Sequence, residues 1–260
     1  MRVLIQFCNQ HRWIHFRFAE LDSILRLNGV NPAFVYVKPE APQEDDGTQN
    51  VVSDYYSPFL LAELPDQPGL VEAICSRSVL IKQILRLYDH APSITELAAA
   101  LATEGQEYHH LRSAEGEDMA QSWCFKVETY ALSLPHETKN ALRNSLSFHC
   151  GYTGGVRMKD PDRFILLIMD FSRCNANAGQ ISPHGDPGTP LEELLDRAQC
   201  YFGVQCGVGG MKAELTKYDL KSRPFIGPTT LDHALSFIAC NLAGVGAGSV
   251  VLDPFVGTAS

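Results

Sequence analysis

Tyr218-Asp-Leu-Lys221-Ser-Arg223-Pro-Phe-Ile-Gly227-Pro-Thr-Thr-Leu-Asp232-His-Ala-Leu-Ser and, a helix later, Ser249-Val-Val-Leu-Asp253-Pro-Phe-Val-Gly257-Thr stand at the end of a 260-residue sequence. Val250, Val251 and Leu252 make an apolar run too short for a free-standing helix, followed at once by an acid and a Gly-containing turn. That pattern predicts a buried parallel strand feeding a loop at its carboxyl end, which is where open α/β sheets bind their ligands. Gly257 permits the close backbone approach of a tight binding turn. Leu231, Leu235, Ile238 and Leu242 recur at the spacing of one helical face, with Thr229 or Thr230 as the cap.

Working outward, residues 200–206 read as a strand ended by Gly207, Gly209 and Gly210, and residues 173–190, rich in Gly, Asn, Pro and Ser, as a loop. Residues 164–169 read as a buried strand, 160–163 as a turn, 156–158 as a short strand and 151–155 as a turn. A helix is expected over 135–146, with Lys139 and Arg143 four apart on one face. Trp123, Phe125, Val127 and Thr129 alternate with Cys124, Lys126 and Glu128 as in a half-buried strand. A polar, acidic stretch over 103–121 separates that strand from a helix opened by the capping box Ser93-Ile-Thr-Glu96 and running to about Ala102.

The first ninety residues alternate in type. Residues 2–8 read as a strand; Phe18, Leu21 and Leu25 make a helical stripe stopped at Asn28-Gly29; 33–37 read as a strand and the Pro-rich, acidic 38–50 as a mobile loop. A strand over 59–64, a helix over 68–75 and a strand over 79–88 complete an α+β module, with a domain boundary near 90–120. Trp13 and Trp123 are read as core residues.

With 45% hydrophobic and 20% charged residues, the composition is that of a globular chain. No apolar stretch approaches the ~20 residues needed to span a bilayer, and the opening heptapeptide lacks the features of a signal peptide, so a cytoplasmic location is expected. The eight cysteines, dispersed and without a C-x-x-C pair, are read as reduced thiols in the core, and no metal site is expected. The net charge of −9 argues against a nucleic-acid partner, but its distribution is uneven. Residues 1–130 hold 10 Lys and Arg against 18 Asp and Glu, whereas 131–260 hold 11 against 12. Within the second half, Lys139, Arg143, Arg157, Lys159, Arg163 and Arg173 outnumber Asp160, Asp162 and Asp170.

In this order the pieces resemble the family of THUMP-domain tRNA guanosine-10 N2-methyltransferases. The resemblance is most specific at Arg223-Pro-Phe-Ile-Gly227-Pro-Thr-Thr-Leu-Asp232 and Asp253-Pro-Phe-Val-Gly257-Thr258. It extends more loosely to Phe16-Arg-Phe-Ala-Glu20, to residues 78–90 and to Gly155-Val-Arg157-Met-Lys159-Asp-Pro. It implies an α+β N-terminal module over 1–92, a THUMP-like RNA-binding domain over 93–212, and over 213–260 the beginning of an α/β Rossmann-like class I methyltransferase domain. S-adenosylmethionine is the implied cofactor, tRNA the implied partner, and a small zinc-binding activator protein the implied protein partner.

The same resemblance assigns Phe225, Ile226, Gly227, Thr229, Asp232, Asp253, Pro254, Phe255 and Gly257 to the cofactor, and Lys139, Arg143, Arg157, Lys159 and Arg163 to RNA. Asp232 reads equally well as an acid that favours a helix N-terminus. The family's catalytic Asp/Asn-Pro-Pro-Tyr loop has no counterpart in the sequence, so no catalytic residue is named and residues 1–260 are expected to be inactive alone. Ala259 stands where the family usually has Gly. Two rival readings stay open: a non-catalytic THUMP-type RNA-binding protein, and an amino-methyltransferase acting on another tRNA position or on DNA.

Overall fold

The computed structural model describes residues 1–8, 12–38, 57–103, 119–172, 191–210, 215–219, 221 and 230–254. In chain order the elements are β1 (Arg2–Phe7), α1 (Arg17–Leu27), β2 (Phe59–Glu63), α2 (Leu70–Arg77), β3 (Ile81–Ala91) and α3 (94–103). They continue with β4 (Trp123–Tyr130), α4 (His136–Leu146), β5 (Arg163–Asp170), the short α5 (Leu191–Leu195), β6 (Gln199–Val208) and α6 (His233–Leu242). The chain divides into two compact units, the first of Met1–Pro39, Pro58–Ile84 and Cys206–Ser260, the second of Glu40–Ser57 and Leu85–Gln205. Strands β3 and β6 contribute to both.

In the first unit the strand order is β2-β1-β3-β6. β1 and β2 are antiparallel, with Arg2 opposite Glu63 and Gln6 opposite Phe59. Every residue of β1 after Arg2 is buried, as an inner strand covered on both faces requires. Gln6 is tolerated there because the Gln83 side-chain amide donates to its carbonyl at 2.6 Å. α1 buries Phe18, Leu21, Ile24 and Leu25 and stops at Gly29, whose φ of +74° supplies the left-handed exit expected from Asn28-Gly29.

The strand expected over 33–37 is instead a 3-10 turn, Pro32–Phe34. The Asn31 carboxamide caps the Ala33 amide at 3.1 Å, and Pro32 presets φ at the first helical position. Phe34 is 83% and Val37 91% exposed, while Val35 between them is buried.

In the second unit the order is β3-β6-β5-β4, with β4 parallel to β5 from Trp123 opposite Arg163 to Tyr130 opposite Asp170, and β5 antiparallel to β6. Parallel neighbours need a crossover, and α4 provides it. Phe125, Val127, Ile165, Leu167, Met169, Phe202 and Val204 recur at the strand period of two and pack with Leu97 and Leu101 of α3 and Leu142 and Leu146 of α4. Lys126 is exposed between Phe125 and Val127 as the alternation requires, whereas Cys124 is buried on the other face. Trp123 and Trp13 are half-buried, each packed against a core cluster. At the start of α3 the Glu96 amide donates to Ser93 Oγ at 3.1 Å, and the Glu96 carboxylate lies 3.4 Å from the same hydroxyl.

Four further expectations are corrected. Residues 156–158 make one isolated bridge, Val156 to Trp123, rather than a strand. Asp232, not a threonine, caps α6, accepting the Leu235 amide at 3.1 Å. Starting the helix there turns Ala234, Ile238 and Asn241 inward and leaves Leu231 and Leu242 exposed. The run Val250, Val251 and Leu252 is not a buried strand: its residues are 100%, 63% and 86% exposed and carry no strand pairing. A parallel strand needs neighbours on its edges and cover on both faces, and the described residues place neither there.

Of the cysteines in the described residues, Cys75, Cys124 and Cys200 are buried as expected, but Cys206 and Cys240 are exposed. Burial, reinforced by the nearby Cys206, pushes the Cys75 thiol up to about 12, which keeps it in the unreactive thiol form. The loops expected over 38–50 and 173–190, and most of the stretch over 103–121, lie outside the described residues, as do Phe225, Ile226, Gly227, Thr229, Phe255, Gly257 and Ala259.

Candidate nucleic-acid interface and cofactor segment

Because β4 and β5 are parallel and in register from Trp123 and Arg163, their first residues lie side by side at one end of the second unit's sheet. The chain before β5 folds over that end. The Thr153 amide donates to the Met119 carbonyl at 2.8 Å, the Trp123 amide to the Gly155 carbonyl at 3.1 Å, and the Arg157 amide to the Trp123 carbonyl at 2.9 Å. The Trp123 indole N–H donates to the Gly154 carbonyl at 3.0 Å, so the half-buried ring pins the loop as well as packing on the core. Only glycine fits at 154, where a Cβ would stand 2.1 Å from the Gln121 carbonyl oxygen.

A second lock closes the loop. Ser122 donates to Asp162 Oδ2 through both its amide (2.9 Å) and its hydroxyl (2.5 Å), and the Asp162 amide donates back to Ser122 Oγ at 3.1 Å. The hydroxyl and then the amide of Ser122 hold the Asp162 carboxyl below the usual carboxylate range, against the opposing effect of burial, and the Arg157 and Arg163 charges add to them. Residues 155–160 are exposed, and they include Arg157 and Lys159.

Three of the five basic residues singled out for RNA, Arg157, Lys159 and Arg163, are therefore gathered at one end of β4 and β5. The other two, Lys139 and Arg143, are half-buried on α4. α4 leaves the carboxyl end of β4 and must return the chain to the start of β5. Arg143 is thus nearer the loop than Lys139, by about 6 Å along the axis. Arg143 is steadied by donating to the Asn140 carboxamide. The Ser122–Asp162 lock and the close approach at Gly154 escape a reading of the sequence, since nothing local pairs residue 122 with residue 162. The Gly154-Gly155 doublet is the one signal that backbone comes close there.

This arrangement can bind a phosphate backbone by charge, with Asp162 as the internal competitor for Arg157 and Arg163. Asp162→Asn keeps an acceptor for Ser122 and removes the competing charge. It is expected to strengthen binding of a nucleic-acid probe about two- to threefold, the size of an exposed ion pair, as read by a filter or fluorescence titration at low salt. Weaker binding with an intact fold would show that Asp162 organises the loop more than it competes.

Of the residues expected to bind cofactor, Asp232, Asp253 and Pro254 are described. Asp232 Oδ1 accepts the Leu235 amide and, at 3.3 Å, the Trp13 indole N–H, while Oδ2 pairs with Arg12. Burial alone would raise this carboxyl; the Leu235 amide, Trp13, Arg12 and His233 together bring it below the usual range. Both oxygens are thus engaged by the protein. Asp253 and Pro254 are exposed and follow α6 in the chain, whereas Asp232 starts it. Asp232 thus serves the helix start together with Trp13 and Arg12, whereas the Asp253 side chain is exposed. Among the described residues no group of three or more His, Cys, Asp or Glu is placed to hold a metal, and no helix is long and apolar enough to cross a membrane.

A family model described as the Tmrp11 THUMP N-terminal domain matches residues 48–185, more than half of the chain. The chain belongs to this THUMP N-terminal family. The matched stretch contains the β4–α4–β5 crossover and the whole basic loop. Among curated relatives, tRNA (guanine(10)-N(2))-methyltransferase TRMT11 of Gallus gallus is 26% identical over 99% of this chain and 47% of its own length. The tRNA (guanine(10)-N(2))-methyltransferase of Saccharomyces cerevisiae is 25% identical over 95% of this chain and 48% of its own. The solved structure of TrmN from Thermus thermophilus is 12% identical with a TM-score of 0.43, over 85% of this chain and 50% of that one. The chain spans about half the length of the curated relatives it matches.

Proposed function

We propose that this chain is the tRNA-binding part of an S-adenosylmethionine-dependent tRNA methyltransferase that methylates N2 of a guanosine, at position 10 by the name its relatives carry. The observation that carries the reading is the exposed basic loop over 155–163, locked onto the start of β4 inside the THUMP-family match. Such a surface grips the sugar-phosphate backbone by charge and shape and leaves base choice to other parts of the protein. In this reading residues 1–92 are an N-terminal module, 93–212 the RNA-binding domain, and 213–260 the opening of a Rossmann-like methyltransferase domain whose remaining strands give Val250–Leu252 its partners. The chain alone is then inactive, and a small zinc-binding activator protein is the partner of the methyltransferase half.

The proposed cofactor set is Asp253, Pro254, Phe255 and Gly257 with Phe225, Ile226, Gly227, Thr229 and Asp232. S-adenosylmethionine supplies the electrophilic methyl group when bound. The chain's own contribution is to hold that molecule by its polar groups and to present the tRNA. In the intact protein, Asp253→Ala is expected to lower cofactor affinity by roughly 1.5–3 kcal/mol, the worth of a hydrogen bond to a charged group, with tRNA affinity unchanged. Calorimetry with each ligand decides: loss of tRNA binding with intact cofactor binding means the acid belongs to the RNA site. A second reading, an RNA-binding protein without catalysis, is supported by the exposure of Val250, Val251 and Leu252. It predicts no cofactor binding in any variant.

A further inference from the structure

Helix α6 is held at both ends, by side chains of the first unit and by polar rather than apolar chemistry. At its start Asp232 joins Trp13 and Arg12. Near its end Asn241, 3% exposed, donates through its side-chain amide to Glu20 Oε1 at 2.8 Å and to the Arg77 carbonyl at 3.0 Å. Glu20 lies on α1, fully buried. Besides Asn241 it accepts from the Ser78 hydroxyl at 2.7 Å, the Val79 amide at 3.0 Å and the Leu80 amide at 3.1 Å. One buried carboxylate thus ties α1, the entry to β3 and α6 together. Just past the helix, the Arg77 guanidinium donates to the Val245 carbonyl.

Space-filling alone does not account for this arrangement. Ala234 and Ile238 already pack α6 against Val79 and Leu80, and a buried carboxylate costs more to place than another leucine. Apolar contact is non-directional, whereas hydrogen bonds fix direction and register. We propose that Glu20, Asn241 and Trp13 are positioning residues for methyl transfer: they clamp α6 in one register on the first unit, so that the segment over 249–254 reaches the cofactor from a fixed direction. The idea rests on the proposed activity, in which that segment holds S-adenosylmethionine. A displacement of ~1 Å at a reacting centre is enough to cost on the order of 100-fold in rate.

Two variants test it. Asn241→Leu removes the donor at similar volume, and Trp13→Phe removes the indole N–H together with part of the ring's packing on the cluster that holds Ala234 and Ile238. In residues 1–260, hydrogen exchange of the α6 amides is expected to quicken at least about tenfold in Asn241→Leu and about three- to fivefold in Trp13→Phe, while the β4 and β5 amides keep their protection. In the intact protein, Asn241→Leu is expected to lower kcat by about 10- to 100-fold with the Kd for tRNA and for cofactor within about twofold of the parent. Unchanged α6 protection in both variants overturns the clamp. Lost protection with unchanged kcat overturns the positioning role. An intact parent protein that never methylates tRNA refutes the proposed activity and the positioning role with it, and the exchange measurement still decides the clamp.

Discussion

Glu20→Ala is expected to lower the unfolding free energy by about 3–5 kcal/mol, because it leaves the buried Ser78 hydroxyl and Val79 amide without an acceptor and takes one of two acceptors from the Leu80 amide and the Asn241 side chain. The Ser78 hydroxyl, the Val79 and Leu80 amides and the Asn241 side chain all point at this one carboxylate. With the residue fully buried, no bulk water stands by to replace it. Glu20→Gln keeps one acceptor oxygen and is expected to lose less. Urea unfolding followed by circular dichroism reads the change in midpoint, and hydrogen exchange locates it: amides of β1, α1 and α6 lose protection before those of β4 and β5. A loss below about 1 kcal/mol in Glu20→Ala would mean that the network relaxes around a cavity and holds little together.

The second large effect concerns affinity. Replacing Arg157 and Lys159 together by alanine is expected to weaken tRNA binding about tenfold at moderate salt and to reduce the slope of log K against log salt by up to about 2, one counterion for each lost phosphate contact. Both side chains are exposed, and the loop's backbone is held by Trp123, Gly154 and the Ser122–Asp162 lock, none of which the substitutions touch. The fold therefore stays intact. An unchanged slope would move the RNA surface elsewhere, with Lys212, Lys217, Lys221 and Arg223 as the next basic group in the sequence.

What could be read from the sequence follows a physical line. Elements whose signal is local and self-sufficient were legible. The Ser93 cap before an Ala and Leu run is one, the Asn28-Gly29 stop another, and the alternation from Trp123 to Thr129 a third. Each is decided by residues within a few positions of one another. Elements whose state depends on distant neighbours were not. Val250, Val251 and Leu252 have strand-forming side chains, but a strand exists only where another strand accepts its hydrogen bonds, and here they are exposed. Residues 33–37 look equally strand-like until Asn31 and Pro32 wind them into a turn. For α6 the periodicity was right and the face was wrong by part of a turn, because the start is set by Asp232 and its distant partners Arg12 and Trp13.

The same line divides the candidate site. Basic residue types in the second half are visible in the sequence, but the gathering of Arg157, Lys159 and Arg163 at one end of β4 and β5 requires the parallel pairing of those strands. The double duty of Asp232 could be weighed from its place before a helix. That both of its oxygens are used by the protein needed Arg12 and Trp13, some 220 residues earlier in the chain.

In the proposed function this chain presents tRNA for methylation of a guanine amine. The most direct measurement incubates the intact protein, with and without the proposed activator, with unmodified tRNA and labelled S-adenosylmethionine, then digests the tRNA and identifies the methylated nucleoside by mass spectrometry. Label is expected in N2-methylguanosine at a single position, lost in Asp253→Ala and reduced in the Arg157 and Lys159 double variant. Tight tRNA binding without any incorporation of label, or label in a base other than guanine, would contradict the proposed function.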